Sequence, residues 1–272
     1  MNKTETAVVA FWLALVAIAN ADDQQPSPKF EPKFYAFQNG VGFGGPEKDA
    51  QTLKELGYDG VCQVFAGGDK LAAQVAAYDK AGLRVNSIYL NVNDEPIAAD
   101  VVKPLAGRGA MIELTVQKMT PDTVEAVRQT AQMAAELKLQ VALYPHNGFA
   151  VATMPQAMDL IAKVDHENLG VMFNLCHFLK NENPDDLEEV LKDAGPRLLA
   201  VSTCGADAEG KGWGELIQTL DQGDFPQARL FTALKKQGFA GPVGLQCYAI
   251  RGDKRENLKK SIAAWEKVLS EL

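Results

Sequence analysis

QVALYPHNGFAVATMPQAMDLIAKVDHENLGVMFNLCH, residues 140–177, reads as strand, loop, helix, turn and strand. Its ends, 140–144 and 170–173, are short apolar runs, and between them 154–164 repeats apolar residues at helical spacing. Two strands joined through one helix pair in parallel, and a parallel strand covered on both faces is apolar throughout rather than alternating.

The same unit recurs along the chain. Strand-like runs at 34–37, 60–65, 85–90, 111–116, 140–144, 170–173, 198–202 and 243–245 alternate with helical patterns at 46–56, 69–81, 121–137, 154–164, 185–194 and 226–237. A last stretch, 254–272, carries Trp265 on a leucine-rich face and reads as a closing helix. Gly57, Gly82 and Gly238 stand where left-handed helix caps are expected. Strand alternating with helix defines the α/β class, with an open doubly wound sheet as the other arrangement of such units. Eight units in one chain of this length argue for closure into a single-domain (β/α)8 barrel over residues 33–272.

The chain begins with Lys3 ahead of an unbroken apolar run of 12 residues, 8–19, and then Ala19-Asn20-Ala21 before Asp22-Asp23. That is the layout of a cleaved secretory leader over 1–21, and the run falls short of the ~20 residues that cross a bilayer. Three prolines in 24–32 mark 22–32 as a flexible tether. Export to a periplasmic or secreted location is therefore expected, with no membrane span in the mature chain. The net charge of -8 disfavours nucleic acid as a partner, since phosphate binding relies on Lys and Arg. Cys62, Cys176, Cys204 and Cys247 lie in or beside strand-like segments without zinc-site spacing, and read as buried thiols.

In a barrel of this kind the catalytic face is built from loops at the carboxyl ends of the strands. Tyr144-Pro145-His146, Asn174-Leu175-Cys176-His177 and Gln246-Cys247-Tyr248 stand at such ends. His146 and His177 follow neighbouring strands and should share one mouth, where imidazole suits proton transfer near neutrality. His166 joins a helix to the next strand and falls on the opposite face. Asn174 and Gln246 offer amides that donate and accept, suited to sugar hydroxyls, and Tyr144 offers a phenol or an aromatic wall. Glu113, inside an apolar strand, needs a partner and is a candidate base.

Three stretches carry a resemblance: KELGYDG at 54–60, FNLCH at 173–177, and the closing block LDQGDF at 220–225 through LKKQGFAGPVGLQ at 234–246. Together they resemble the xylose isomerase-like barrel superfamily of sugar and sugar phosphate isomerases and epimerases. The resemblance spans essentially 33–272. It implies a divalent metal held by Glu, Asp, His and Glu after strands five to eight. The matching positions here are Tyr144, Asn174, the 202–204 region and Gln246, none of them the implied ligand. This argues against Mg2+ or Mn2+ of the family type. It leaves open another divalent metal on the two histidines.

The resulting expectation is an exported sugar-active enzyme. Its catalytic candidates are His146, His177 and Glu113, and Tyr144, Asn174 and Gln246 would bind the sugar. The reaction would be isomerisation, epimerisation, or elimination and hydrolysis of a 3-keto-sugar. The alternative is a non-catalytic carbohydrate-binding protein that kept the barrel and lost the metal centre. An endonuclease IV-like role would need a histidine-rich zinc cluster and a basic face, against three histidines and net acidity.

Intact-mass measurement of exported protein should show a mature chain beginning close to Asp22; retention of residues 1–21 in that material would point to a tethered form.

Overall fold

The computed structural model describes residues 30–272, so the leader-like residues 1–21 and most of the tether lie outside the described residues. Phe30, assigned to the tether by the sequence, packs against the core. The strands are β1 (Phe34–Phe37), β2 (Gly60–Cys62), β3 (Arg84–Val85), β4 (Ser87–Val92), β5 (Met111–Val116), β6 (Gln140–Leu143), β7 (Leu169–Asn174), β8 (Leu198–Thr203) and β9 (Val243–Leu245). The helices are α1 (Pro46–Leu56), α2 (Gly68–Ala81), α3 (Ala99–Val102), α4 (Thr123–Glu136), α5 (Met154–Val164), α6 (Leu175–Asn181), α7 (Leu187–Ala194), α8 (Trp213–Leu216), α9 (Gln227–Lys236) and α10 (Lys254–Ser270).

Every expected strand is present. The third is split at Asn86 into β3 and β4, so nine strands make an eight-stranded circuit. The pairs are parallel in the order β3-β2-β1-β9-β8-β7-β6-β5-β4. The ring closes where Val64 bridges Ile88: the Val64 N–H donates to Ser87 O at 3.1 Å and the Tyr89 N–H to Val64 O at 2.9 Å. Gly40, Gly42 and Gly45 carry the spacing of a dinucleotide-binding turn. That turn belongs to an open doubly wound sheet, and the strand order here is a closed barrel.

Closure buries both faces of each strand. Inside lie Tyr35, Phe37, Cys62, Met111, Ala142, Tyr144, Met172 and Ala200, while Phe34, Ala36, Ile112, Leu114, Val141 and Val171 face the helices. At Gly60 the strands approach so closely that a Cβ would lie 1.9 Å from Arg84 O, and its φ is +147. The helix stops also follow the sequence: Gly57 and Gly82 cap α1 and α2 with φ of 90 and 76. At the start of α5, Thr153 and Gln156 form a reciprocal capping box.

Two short elements escape the periodicity reading. Helix α6 begins directly at Leu175, so His177 sits in a first helical turn rather than in a loop, and α8 spans too few residues to show a repeat. No helix among the described residues is long and apolar enough to cross a membrane.

The closing helix is fastened by Trp265, which stacks on Phe34 of β1 at 4.2 Å and 5° and meets Phe231 of α9 edge-on at 5.1 Å. Trp265→Ala should lower the unfolding free energy by about 3–5 kcal/mol, read from urea denaturation, because it opens a cavity between β1, α9 and α10.

Candidate active site

The carboxyl ends of the strands surround a cavity of about 560 Å3. Tyr144, His146, His177 and Gln246 all line it, so the two histidines and two of the expected sugar contacts converge as their strand positions imply. Asn174 lies just behind, and its amide Nδ2 donates to the Tyr144 hydroxyl. His166 lies in the turn before β7, at the other end of the barrel, where its Nδ1 accepts from the Asn168 N–H at 3.1 Å.

The loop after β6 sets the histidine geometry. His146 N–H donates to Val151 O at 3.0 Å and Phe149 N–H to His146 O at 3.1 Å, folding the loop back on itself. Gly148 takes φ +83 at the bend, a conformation that side chains disfavour. The two rings lie 4.2 Å apart at 43°, with Phe149 stacked on His146 at 4.1 Å. One peptide residue then holds both imidazoles in opposite senses. The Asn147 carbonyl can only accept, so His146 Nδ1 carries the proton that it donates there at 2.8 Å. The Asn147 N–H can only donate, so His177 Nδ1 is the acceptor at 3.3 Å. In the neutral rings this leaves His146 Nε2 with a lone pair and His177 Nε2 with a proton.

Both rings are held neutral. Burial, and then the neighbouring His146, push His177 down to about 3, and burial lowers His146 despite its bond to Asn147. Burial also raises the Tyr144 phenol well above its ordinary value, so it stays protonated. Its oxygen accepts from Asn174 and, at 3.5 Å, from Gln246 Nε2, which leaves the O–H proton to be donated elsewhere.

Alternation along β5 turns Glu113 into the barrel, where it is 1% exposed. It lies beneath the cavity rather than on its wall. Ser87 Oγ donates to one carboxyl oxygen and Gln63 Nε2 to the other at 3.2 Å, while Ser87 Oγ accepts the Gln63 N–H at 2.8 Å. Gln63, which lines the cavity, intervenes, with its backbone at φ +52. Burial pushes the Glu113 carboxyl up to about 7 against the two hydrogen bonds that lower it.

The positions that the resemblance assigns to a divalent metal do not fit one. Gln246 Oε1 already accepts from Asn39 Nδ2 at 2.8 Å, Cys247 N–H at 3.0 Å and Tyr248 N–H at 2.9 Å. Asn174 Oδ1 accepts from Cys176 Sγ at 3.1 Å. At the end of β8, Thr203 donates to Gln227, and just beyond it Cys204 donates to Leu216 O. The remaining donors are a neutral phenol and two imidazoles. Among the described residues no three of His, Cys, Asp or Glu gather closely enough for a metal ion. All four cysteines are buried free thiols.

The sequence reading missed Gln63, Tyr89 and Trp213 as parts of the wall. Gln63 and Tyr89 were detectable, since both stand near the ends of predicted strands. Trp213 was not, because its loop must fold back before its ring meets His177 edge-on at 5.4 Å.

A family model described as xylose isomerase-like TIM barrel matches residues 100–268. Among solved structures, the chain is similar to a 3-keto-D-glucoside 4-epimerase from E. coli. That match has 19% identity and a TM-score of 0.67, over 87% of this chain and 100% of the other. A D-allulose 3-epimerase from Methylomonas sp., solved with D-allulose, gives 16% identity and a TM-score of 0.69 over 88% and 98%. An L-ribulose 3-epimerase gives 14% identity and 0.70 over 88% and 95%. At such identities the likeness establishes the fold. No curated protein matches by sequence.

The Glu113 carboxyl titrates near 4.5 in an unfolded chain and near 7 in the fold. The folded protein thus keeps a proton that the unfolded one has lost, a contribution present in full below 4.5 and lost as pH rises through 7. Glu113→Gln should remove that loss: relative to the parent, its urea midpoint should rise between pH 4.5 and values above 7. His177, shifted downward, adds the opposite trend between 6.5 and about 3 in both proteins.

Proposed function

The chain belongs to the xylose isomerase-like TIM barrel family, and on that premise we propose that it is an exported enzyme of acid–base carbohydrate chemistry, moving a proton at a carbon beside a sugar carbonyl. The observation that carries this reading is the imidazole pair 4.2 Å apart in the cavity, one ring offering a lone pair and the other a proton. Enolisation needs both at once: a base for the C–H and a donor for the carbonyl oxygen as negative charge develops there.

In the proposed step, His146 Nε2 takes the carbon-bound proton and His177 Nε2–H hydrogen-bonds the carbonyl oxygen. A neutral imidazole is suited to the second role, because its depressed pKa keeps it a donor without a formal charge. Tyr144 donates its free O–H to a neighbouring hydroxyl, and Gln246 presents Nε2, since its oxygen is already engaged. Glu113 acts from beneath by orienting Gln63. In epimerisation the same carbon of the resulting enediol is reprotonated from the other face by water at the open mouth while His146 gives its proton to solvent; in isomerisation His146 returns its proton to the adjacent carbon as the neighbouring hydroxyl loses its own and becomes the new carbonyl. In a 3-keto-glycoside the enolate instead forms a C=C bond to the next carbon and breaks that carbon's C–O bond, and the departing alkoxide takes the proton held by His146 to leave as an alcohol. All three outcomes share the first step.

Export rests on the leader-like residues 1–21 alone. The neutral residues at the metal positions favour the second reading, a carbohydrate-binding barrel without turnover, and the same experiment separates the two.

Incubation with keto sugars in D2O, followed by proton NMR, should show loss of the signal from the carbon beside the carbonyl. His146→Gln and His177→Gln should each slow that exchange by about 10^2–10^4 with little change in melting temperature, and His166→Gln should be silent. Because burial lowers His146, exchange should persist below pH 6.5 before its acid limb appears. Exchange unaffected by both substitutions would leave the binding reading.

A further inference from the structure

Among the described residues only three large apolar side chains are exposed: Phe65 at 51%, Met119 at 48% and Tyr248 at 57%. Phe65 and Tyr248 both line the cavity and Met119 does not, so the two exposed aromatics gather at the mouth of the site. They follow β2 and β9, which flank β1 in the sheet. Around the closed circuit, β6 and β7, which lead to His146 and His177, lie across the barrel from β1 and β2. The imidazole pair therefore occupies one wall and the exposed rings rise from the opposite side.

The backbone beneath these rings is held out of its ordinary conformation. Gln63, two residues before Phe65, has φ +52, and Ala249, directly after Tyr248, has φ +56. The other non-glycine residues with positive φ, Lys138 and Asp165, stand at helix ends, where the left-handed region is common. Hydrogen bonds retain the mouth geometry: Phe65 N–H donates to Gln38 Oε1 at 2.8 Å and Tyr248 N–H to Gln246 Oε1 at 2.9 Å. Strain kept at a cavity rim, together with apolar rings left in water, points to a ligand that covers them.

The cavity lining contains no Asp, Glu, Lys or Arg. Its volume of about 560 Å3 lies within the ~300–1,000 Å3 of pockets that take drug-sized ligands. A phosphate or carboxylate entering here would lose its hydration to neutral amides and aromatic rings without a cation in return.

We propose that the mouth is a second-ring subsite: the substrate is an uncharged keto-glycoside, whose oxidised sugar ring lies against His146 and His177 and whose aglycone or second sugar ring packs between Phe65 and Tyr248. This assignment rests on the sugar reading above. It narrows that reading to a linked, neutral substrate whose carbonyl is a ring ketone, since the glycosidic link locks the anomeric carbon, and excludes sugar phosphates. The C–H face of a pyranose or the face of an aryl group removes the two exposed rings from water, and the glycosidic oxygen spans the amide floor formed by Gln63 and Gln246.

Trp213 lines the cavity, so its fluorescence reports binding, against Trp265 in the core as a constant background. The mature protein should be titrated with methyl glycosides of the common hexoses and pentoses and their ring-keto forms, with the phenyl glycoside of each, and with hexose 6-phosphates. For the sugar that binds, the phenyl glycoside should bind about tenfold tighter than the methyl, the scale of one added aromatic contact. Phe65→Ala and Tyr248→Ala should each bring that ratio towards one, Tyr248→Phe should keep it, and Met119→Ala should keep it. Equal binding of phenyl and methyl glycosides, a ratio that survives the double alanine variant, tighter binding of a hexose phosphate, or no binding by any glycoside would overturn the proposal. A preserved ring preference with no proton exchange would leave the subsite standing and remove the enzyme reading.

Discussion

The bridge between Val64 and Ile88 closes a parallel sheet that would otherwise end in two open edges. Once closed, the barrel shields its inward polar side chains from water, and apart from Ser202, whose Oγ has no partner, those that reach the mouth are satisfied by groups from other segments. Glu113 finds Ser87 and Gln63, Asn174 finds Tyr144, and Gln246 finds Asn39. The candidate site consists of these compensations where they reach the mouth.

That constraint also sets the electrostatics. Amides, a phenol and imidazoles satisfy one another without a formal charge, and burial then resists any charge that titration would introduce. The low pKa of His177 and the high pKa of Glu113 follow from the same desolvation, acting in opposite directions on a base and an acid. A centre of this kind offers directed hydrogen bonds and a lone pair rather than formal charge. It is distinct in donor set from one that would hold a hard divalent cation, which needs anionic oxygens.

The loop after β6 is the economical part of the arrangement. One residue, Asn147, uses its N–H on one imidazole and its carbonyl on the other, so the proton inventory of the pair is decided by backbone rather than by side-chain chemistry. Gly148 allows the bend that brings both groups into place, and Phe149 holds the first ring flat. Replacing the Asn147 side chain would leave these bonds formally intact, which is why such a residue gives little signal in a motif search.

The sequence by itself determined the barrel and the shared end of the two histidines. Apolar runs, helical spacing and glycine caps are local properties, and strand order follows from repeated right-handed crossovers, so His146 and His177 on adjacent strands had to meet. It also singled out Glu113, because a carboxyl in an apolar strand requires a partner, but not which partner. Only the tertiary structure decided that Ser87 and Gln63 fill that role, that Gln246 spends its oxygen on Asn39, 207 residues away, and that Trp213 returns to the wall. These outcomes depend on distances across a closed ring and on the path of a loop, neither of which leaves a periodic trace in the chain.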